Sequence, residues 1–190
     1  YEWFVKPKEL KKPIWSEPYF DEGGGNIPMT TYSVPFYRTV NGNKQFYGIV
    51  TCDIALDWLK GYFDDIRVNN ELKSGYGFLT SSNGRIIAHK DYSLIMKKTL
   101  SELAIDENNS EINALFSKIQ NGASGSYYLN NFLGDKDLYA YFAPLKSNGW
   151  VLTLLFPRTE VFSSLSELIF KIIIYGVIGF SFLLIVIIFI

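Results

Sequence analysis

Apolar and polar positions alternate along much of the chain, and the alternation gives way to an unbroken apolar run at its end. Residues 29–37 are β-rich and 46–56 read as a strand of mixed apolar and small residues, and Asn41-Gly42-Asn43 between them is a hairpin turn signal. Pro35 places the first arm at an edge or beside a bulge, because proline cannot donate to a ladder. Upstream, residues 1–28 read as short strands and turns. Trp3 and Phe4 lead into the Pro- and Lys-rich stretch 6–13, and a glycine cluster follows at Gly23-Gly24-Gly25. Asp57 stands where it can cap a helix from Trp58 to Ile66, with Trp58, Leu59, Tyr62, Phe63 and Ile66 at helical spacing.

The second part repeats this logic. Residues 76–80 and 85–89 are strands around the turn Ser82-Asn83-Gly84. Ile112, Leu115, Phe116 and Ile119 define one face of a helix that Gly122 ends, and residues 125–130, 137–143 and 150–156 are three further strands. Asn148-Gly149 makes the last turn. One antiparallel sheet with a helix is an α+β layout of the PAS-like kind. The expected units are an incomplete module over residues 1–66, a second module over 67–160, and a juxtamembrane segment with a membrane helix over 161–190. In the last unit, residues 172–190 hold no charge at all. Nineteen residues at ~1.5 Å each reach roughly 28 Å, close to the hydrocarbon thickness of a bilayer.

Composition then narrows the function. Eighteen Lys+Arg against nineteen Asp+Glu give a net charge of −1 with no basic block, which argues against a nucleic-acid partner. One Cys and one His exclude a disulfide framework and Cys- or His-rich metal sites, and no cofactor is expected. Gly23-Gly24-Gly25 lacks the strand–loop–helix setting and the lysine of a phosphate loop, so it reads as a turn. His89 reads as a hydrogen-bonded strand histidine and Cys52 as a small core residue. The polar, aromatic, loop-rich segment before the apolar run suits a domain outside the cytoplasm.

The order of several short motifs resembles the double Cache (dCache) sensor domains of bacterial and archaeal receptors. One half carries Trp3-Phe4, Glu17-Pro18-Tyr19-Phe20-Asp21, the run from Thr31 to Pro35, and that from Gly48 to Ile54. The other carries Gly77-Phe78-Leu79, the run from Asn83 to His89, Tyr141 with Ala143-Pro144-Leu145, and Gly149-Trp150. The resemblance implies two stacked PAS-like modules, a distal one whose first part precedes Tyr1, and an earlier membrane helix. It also implies a homodimer in the inner membrane and a cytoplasmic output such as a histidine kinase, chemotaxis signalling domain, cyclase or phosphatase. In the amino-acid-sensing branch an Arg two residues before Trp-Tyr holds the ligand carboxylate, and Tyr, Asp and a later Asp hold its amine. By position Trp3 fits that Trp, Phe4 stands for Tyr, and Tyr19, Asp21 and Asp53 fit the rest. Tyr1 occupies the Arg position and cannot make the bidentate contact.

The residues themselves suggest a ligand site of Trp3, Phe4, Trp15, Tyr19, Asp21, Tyr32 and Asp53. Ile49, Thr51 and Asp53 alternate onto one strand face, where an ionised Asp near a sheet interior needs a partner, and a ligand cation is one. The aromatics either wall a cation site or pack as core; Asp21 and Asp53 either face the ligand, cap turns, or pair with the protein's own cations. The leading expectation is an extracytoplasmic small-molecule sensor that signals through the membrane helix. Its partners would be a small-molecule ligand bound in the distal module, an amine or an amino-acid-like molecule with a cation preferred, and the lipid bilayer. The alternative is a membrane-anchored ectodomain that binds a protein or surface. An enzyme is not expected in this segment, which has no Ser-His-Asp order or metal set.

Overall fold

The computed structural model describes residues 1–59 and 74–189. The chain opens on a helix, α1 (Glu2–Leu10), where strand and turn were expected. Glu2 in its first turn pairs with Lys6 one turn on, and Lys11 ends it in a left-handed conformation. Pro7 lies inside this helix and is its buried residue, so its packing outweighs the backbone hydrogen bond it cannot donate. On the same helix, the Phe4 ring meets Phe46 edge-on at 6.2 Å and Lys8 lies over that ring.

Four strands form the first sheet: β1 (Ile14–Trp15), β2 (Tyr19–Phe20), β3 (Pro28–Val40) and β4 (Asn43–Ala55). β3 pairs along one side with both short strands and along the other with β4, all antiparallel. The expected hairpin turn is present, with Asn41 and Gly42 both at positive φ. The register slips by one residue between Phe36 and Tyr37, directly after Pro35 and beyond the reach of β1. Much of β4 is exposed.

The second sheet runs in the order β6-β5-β9-β8-β7. Its strands are β5 (Tyr76–Thr80), β6 (Ile86–Ala88), β7 (Gly125–Phe132), β8 (Asp135–Pro144) and β9 (Val151–Pro157). One face packs on α2 (Leu100–Asp106) and α3 (Ser110–Gln120) around Phe78, Ile86, Leu100, Ile112, Leu115, Leu129, Phe132 and Leu155, all fully buried. The expected helical face of Ile112, Leu115, Phe116 and Ile119 is this core. α2 was not foreseen. It begins on a capping box in which Thr99 accepts from the Glu102 amide and the Glu102 carboxylate accepts from the Thr99 amide.

The two halves touch. Leu56 and Leu59, just past β4, are buried with Leu79, Ile87, Ala88 and Trp150 on the other face of the second sheet. Leu59 is the last described residue of the expected 58–66 helix; the remainder and the 66/67 boundary lie outside the described residues. After the short α4 (Arg158–Val161), α5 (Ser163–Phe189) is one helix of 27 residues. Its apolar stretch, Leu168–Ile187, has mean hydropathy 2.5 and is long enough to cross a membrane; none of it is buried in the protein. The stretch starts four residues earlier than the sequence suggested and takes in Lys171, whose long stem lets its charge reach an interface.

Candidate functional site

The segment between α1 and β3 is fixed by its own polar side chains. Ser16 Oγ accepts from the Thr31 amide at 2.9 Å, and Thr30 Oγ1 donates to the Ser16 carbonyl at 3.0 Å. Both threonines and Ser16 are buried, so these bonds satisfy groups that water cannot reach. Asp21 closes the glycine-rich turn, its Oδ2 accepting from the Gly25 amide at 2.7 Å. The turn reading of Gly23-Gly24-Gly25 agrees with this geometry.

With that segment held, a relay forms across the sheet. Thr31 Oγ1 donates to Asp53 Oδ1 at 2.7 Å, and the Tyr19 hydroxyl lies 2.9 Å from the same Oγ1. The Thr31 proton goes to the carboxylate, so Tyr19 is the donor to Thr31. Asp53 itself is exposed on β4 instead of near a sheet interior, and Thr31 supplies the partner its charge was expected to need. Cys52 beside it is exposed too, correcting the core reading.

A cleft of about 530 Å³ opens between the start of α1 and this segment, lined by residues 1–3 and 16–22. Of the seven expected site residues it gathers Trp3, Tyr19 and Asp21. Tyr1 stacks on Trp3 at 6.1 Å and extends the aromatic wall. The other four stand outside the lining. Phe4 packs on Phe46; Trp15 and Tyr32 pair at 4.9 Å on the sheet face opposite Thr31; Asp53 touches the cleft only through Thr31 and Tyr19.

Sequence reasoning passed over Glu2, Glu17 and Glu22, which also line the cleft, and Thr31, which joins it to Asp53. The cluster of Glu17, Asp21 and Glu22 within six residues was the available signal. The cleft therefore holds four carboxylates and no Lys or Arg among its described lining residues. Glu17 has a second contact: its Oε1 accepts from Ser82 Oγ of the other half at 2.5 Å. No group of three or more His, Cys, Asp or Glu placed to hold a metal occurs among the described residues.

Residues 1–61 match the family described as methyl-accepting chemotaxis protein-like, first PDC sensor domain. The extracellular domain of a protein designated histidine kinase mmHK1S-Z2 superposes with a TM-score of 0.70 at 27% identity, over 84% of this chain and 56% of that one. Residues 1–61 thus resemble a PDC-type, or double Cache, sensor domain, and the fold over most of the chain is that of such an extracellular domain. A methyl-accepting chemotaxis protein, PscA of Pseudomonas syringae pv. tomato, is 22% identical over 158 residues, 77% of this chain. The ligand-binding domain of the Pseudomonas aeruginosa PAO1 amino acid chemoreceptor PctC, solved with GABA, shares the fold (TM-score 0.55, 21% identity, 82% of this chain and 61% of that one). The chain spans about a quarter of PscA (24%) and just over half of the mmHK1S-Z2 domain.

Proposed function

We propose that this sensor domain binds a small organic cation, a simple amine or quaternary ammonium, in the cleft at the start of α1, and reports it across the inner membrane through α5. The observation that carries the reading is the charge of the described lining: four carboxylates, of which Glu2 is paired with Lys6 outside it, no Lys or Arg, and the rings of Tyr1, Trp3 and Tyr19. Carboxylates attract a cation directly, and ring faces attract it through their quadrupoles. Asp21 is the central anion, Trp3 and Tyr19 are the walls, and Asp53 orients Tyr19 through Thr31. GABA, the PctC ligand, carries an amine and a carboxylate; the described lining of this cleft has carboxylates for the first and no Lys or Arg for the second.

The route outward starts in the same residues. Glu17 belongs to the cleft and also holds Ser82, so a ligand that recruits Glu17 competes with that bond. Leu56 and Leu59 follow three and six residues after Asp53 and are wedged against Trp150. β9, next in the chain, runs into α4 and α5. In this reading both sheets lie outside the cytoplasm, α5 spans the bilayer, and an output of chemoreceptor or histidine-kinase type receives the signal.

The test is a calorimetric titration with propylamine, tetramethylammonium, GABA and butyrate. Propylamine and tetramethylammonium should bind, GABA no more tightly than propylamine, and butyrate not at all. Asp21→Asn keeps an acceptor for the Gly25 amide but removes the charge, and should weaken tetramethylammonium about tenfold or more. GABA binding that requires its carboxylate would overturn the cation preference.

A further inference from the structure

The turn between α2 and α3 carries chemistry that the ligand reading does not use. It runs Asp106-Glu107-Asn108-Asn109-Ser110, and Asn108 is the one asparagine of the chain with Ser or Thr two residues after it. Asn-x-Ser, with x other than proline, is the acceptor tripeptide of N-glycosylation. The two adjacent asparagines are employed differently. Asn109 caps α3: its Oδ1 accepts from the Glu111 amide at 2.9 Å, and its Nδ2 donates to the Asn131 carbonyl at 2.8 Å. Asn108 is exposed at φ +47°, a left-handed turn conformation that asparagine tolerates. Its side-chain amide makes no hydrogen bond among the described residues.

The surface beside it has room and grip for a sugar. A cleft of about 560 Å³ is lined by residues 108–110 with Ser101, Ala104, Ile105 and Asn113. Ile105 is 77% exposed, an apolar side chain with almost nothing of the protein over it. A sugar ring has an apolar C–H face that suits Ile105, and hydroxyls that suit Ser101 and Asn113. We propose that Asn108 is an N-glycosylation site whose first sugars lie in this cleft, an assignment that rests on both sheets lying outside the cytoplasm. The donor is an oligosaccharide linked to a lipid pyrophosphate, and the catalyst is a membrane oligosaccharyltransferase. Asn108 Nδ2 attacks the anomeric carbon and forms the N–C bond. The bond from that carbon to the pyrophosphate oxygen breaks, its electron pair leaves with the oxygen, and the amide gives up one proton to water. The Ser110 hydroxyl, and the Asp106 carboxylate two residues ahead of the acceptor, are the groups the enzyme holds. Ser110 is the first residue of α3, so the tripeptide is taken before that helix closes. The finished fold accommodates the product because the Asn108 amide has no bond to lose.

Trypsin releases residues 99–118 as one peptide, because Lys98 and Lys118 bracket a stretch without Lys or Arg. Taken from membranes of the source organism, this peptide should be heavier by a whole number of sugar residues. Electron-transfer fragmentation should place the added mass on Asn108 and leave Asn109 and Asn113 bare. Asn108→Gln and Ser110→Ala should each abolish the addition, while Ser110→Thr, which keeps the hydroxyl, should retain it. Asp21→Asn should carry the same sugar whether or not it binds tetramethylammonium, which separates this site from the acidic cleft. An unmodified peptide from a domain that external protease digests in spheroplasts would overturn the assignment. Sugar on a hydroxyl side chain, or sugar retained in Ser110→Ala, would overturn it too. An unmodified peptide from a domain protected against the protease would instead overturn the outside placement, and the assignment with it.

Discussion

Thr31 is the residue on which the acidic cleft and Asp53 depend together, and Thr31→Val isolates what it does. Valine has the shape of threonine with a methyl in place of the hydroxyl, so the buried volume at this site hardly changes. Two hydrogen bonds disappear: the 2.7 Å bond to the Asp53 carboxylate and the 2.9 Å bond from Tyr19. A bond to a charged group contributes about 1.5–3 kcal/mol and a neutral one about 1 kcal/mol, which bounds the loss at roughly 2.5–4 kcal/mol. Asp53 is exposed and Tyr19 half-buried, so water replaces much of this, and the expected net destabilisation is about 1–2 kcal/mol. The ligand should suffer separately. With Tyr19 no longer aimed by Thr31, tetramethylammonium affinity should fall about tenfold, which is 1.4 kcal/mol. Thr31→Ser keeps the hydroxyl and should recover both quantities in large part. Urea denaturation followed by tryptophan fluorescence gives the first, and calorimetric titration the second. Valine and serine variants that match each other in both assays would refute the relay.

Three further predictions probe the second half and the topology. Gly84 has φ +78°, and a Cβ there would lie 2.2 Å from the Phe116 ring, so Gly84→Ala should cost about 2–4 kcal/mol in thermal unfolding. Gly122→Ala, at φ +67° in open space, should cost only about 1 kcal/mol, and equal losses would remove the clash with Phe116 from the account. Burial, then the charge of Lys90, lowers the His89 pKa from 6.5 to about 4, with Tyr76, Asp91 and Asp135 the other ionisable groups around it. The unfolded chain therefore binds the extra proton first: this contribution is whole above about pH 6.5 and is lost as pH falls towards 4, about 3 kcal/mol in all, so urea midpoints of His89→Gln should fall less on acidification than those of the unsubstituted protein. Protease added to spheroplasts should digest the sensor domain up to α5; full protection, in spheroplasts whose outward-facing controls are cleaved, would reverse the topology.

The second half was legible because its signals are local and strong. Ser82-Asn83-Gly84 and Asn148-Gly149 are turns whose residue types match their backbone, and the four apolar positions of α3 fall on one face without a break. α2 escaped because its seven residues give the helical period less than two turns to declare itself. Its capping box, Thr99 to Glu102, was nonetheless readable as a start signal. α1 escaped for the opposite reason. Its local signal, Pro7 in the middle of the segment, argues against a helix, and burial of that proline by the rest of the protein overrides it.

The acidic cleft was legible in residue types but not in partners, and the cause is one extra residue. Counting outward from the Asn41-Gly42 turn, Val40 pairs with Asn43 and Tyr37 with Phe46, and a perfect ladder would carry Asp53 to Thr30. Instead Phe36 pairs with Gly48, Tyr47 is left over, and from there each residue of β3 meets the next residue along β4. Asp53 therefore faces Thr31, whose hydroxyl reaches Tyr19, whereas Thr30 turns to the opposite face and gives its hydroxyl to the Ser16 carbonyl. Pro35 signalled that the ladder is interrupted in this region, but not at which residue or on which strand. A one-residue slip exchanges the two faces of a strand. The sequence alone could thus name Tyr19, Asp21 and Asp53, and could also name Trp15 and Tyr32, with nothing to separate the pair that packs on the far face. The bulge makes that separation, and it makes Thr31 the residue through which the charge of Asp53 is coupled to the cleft.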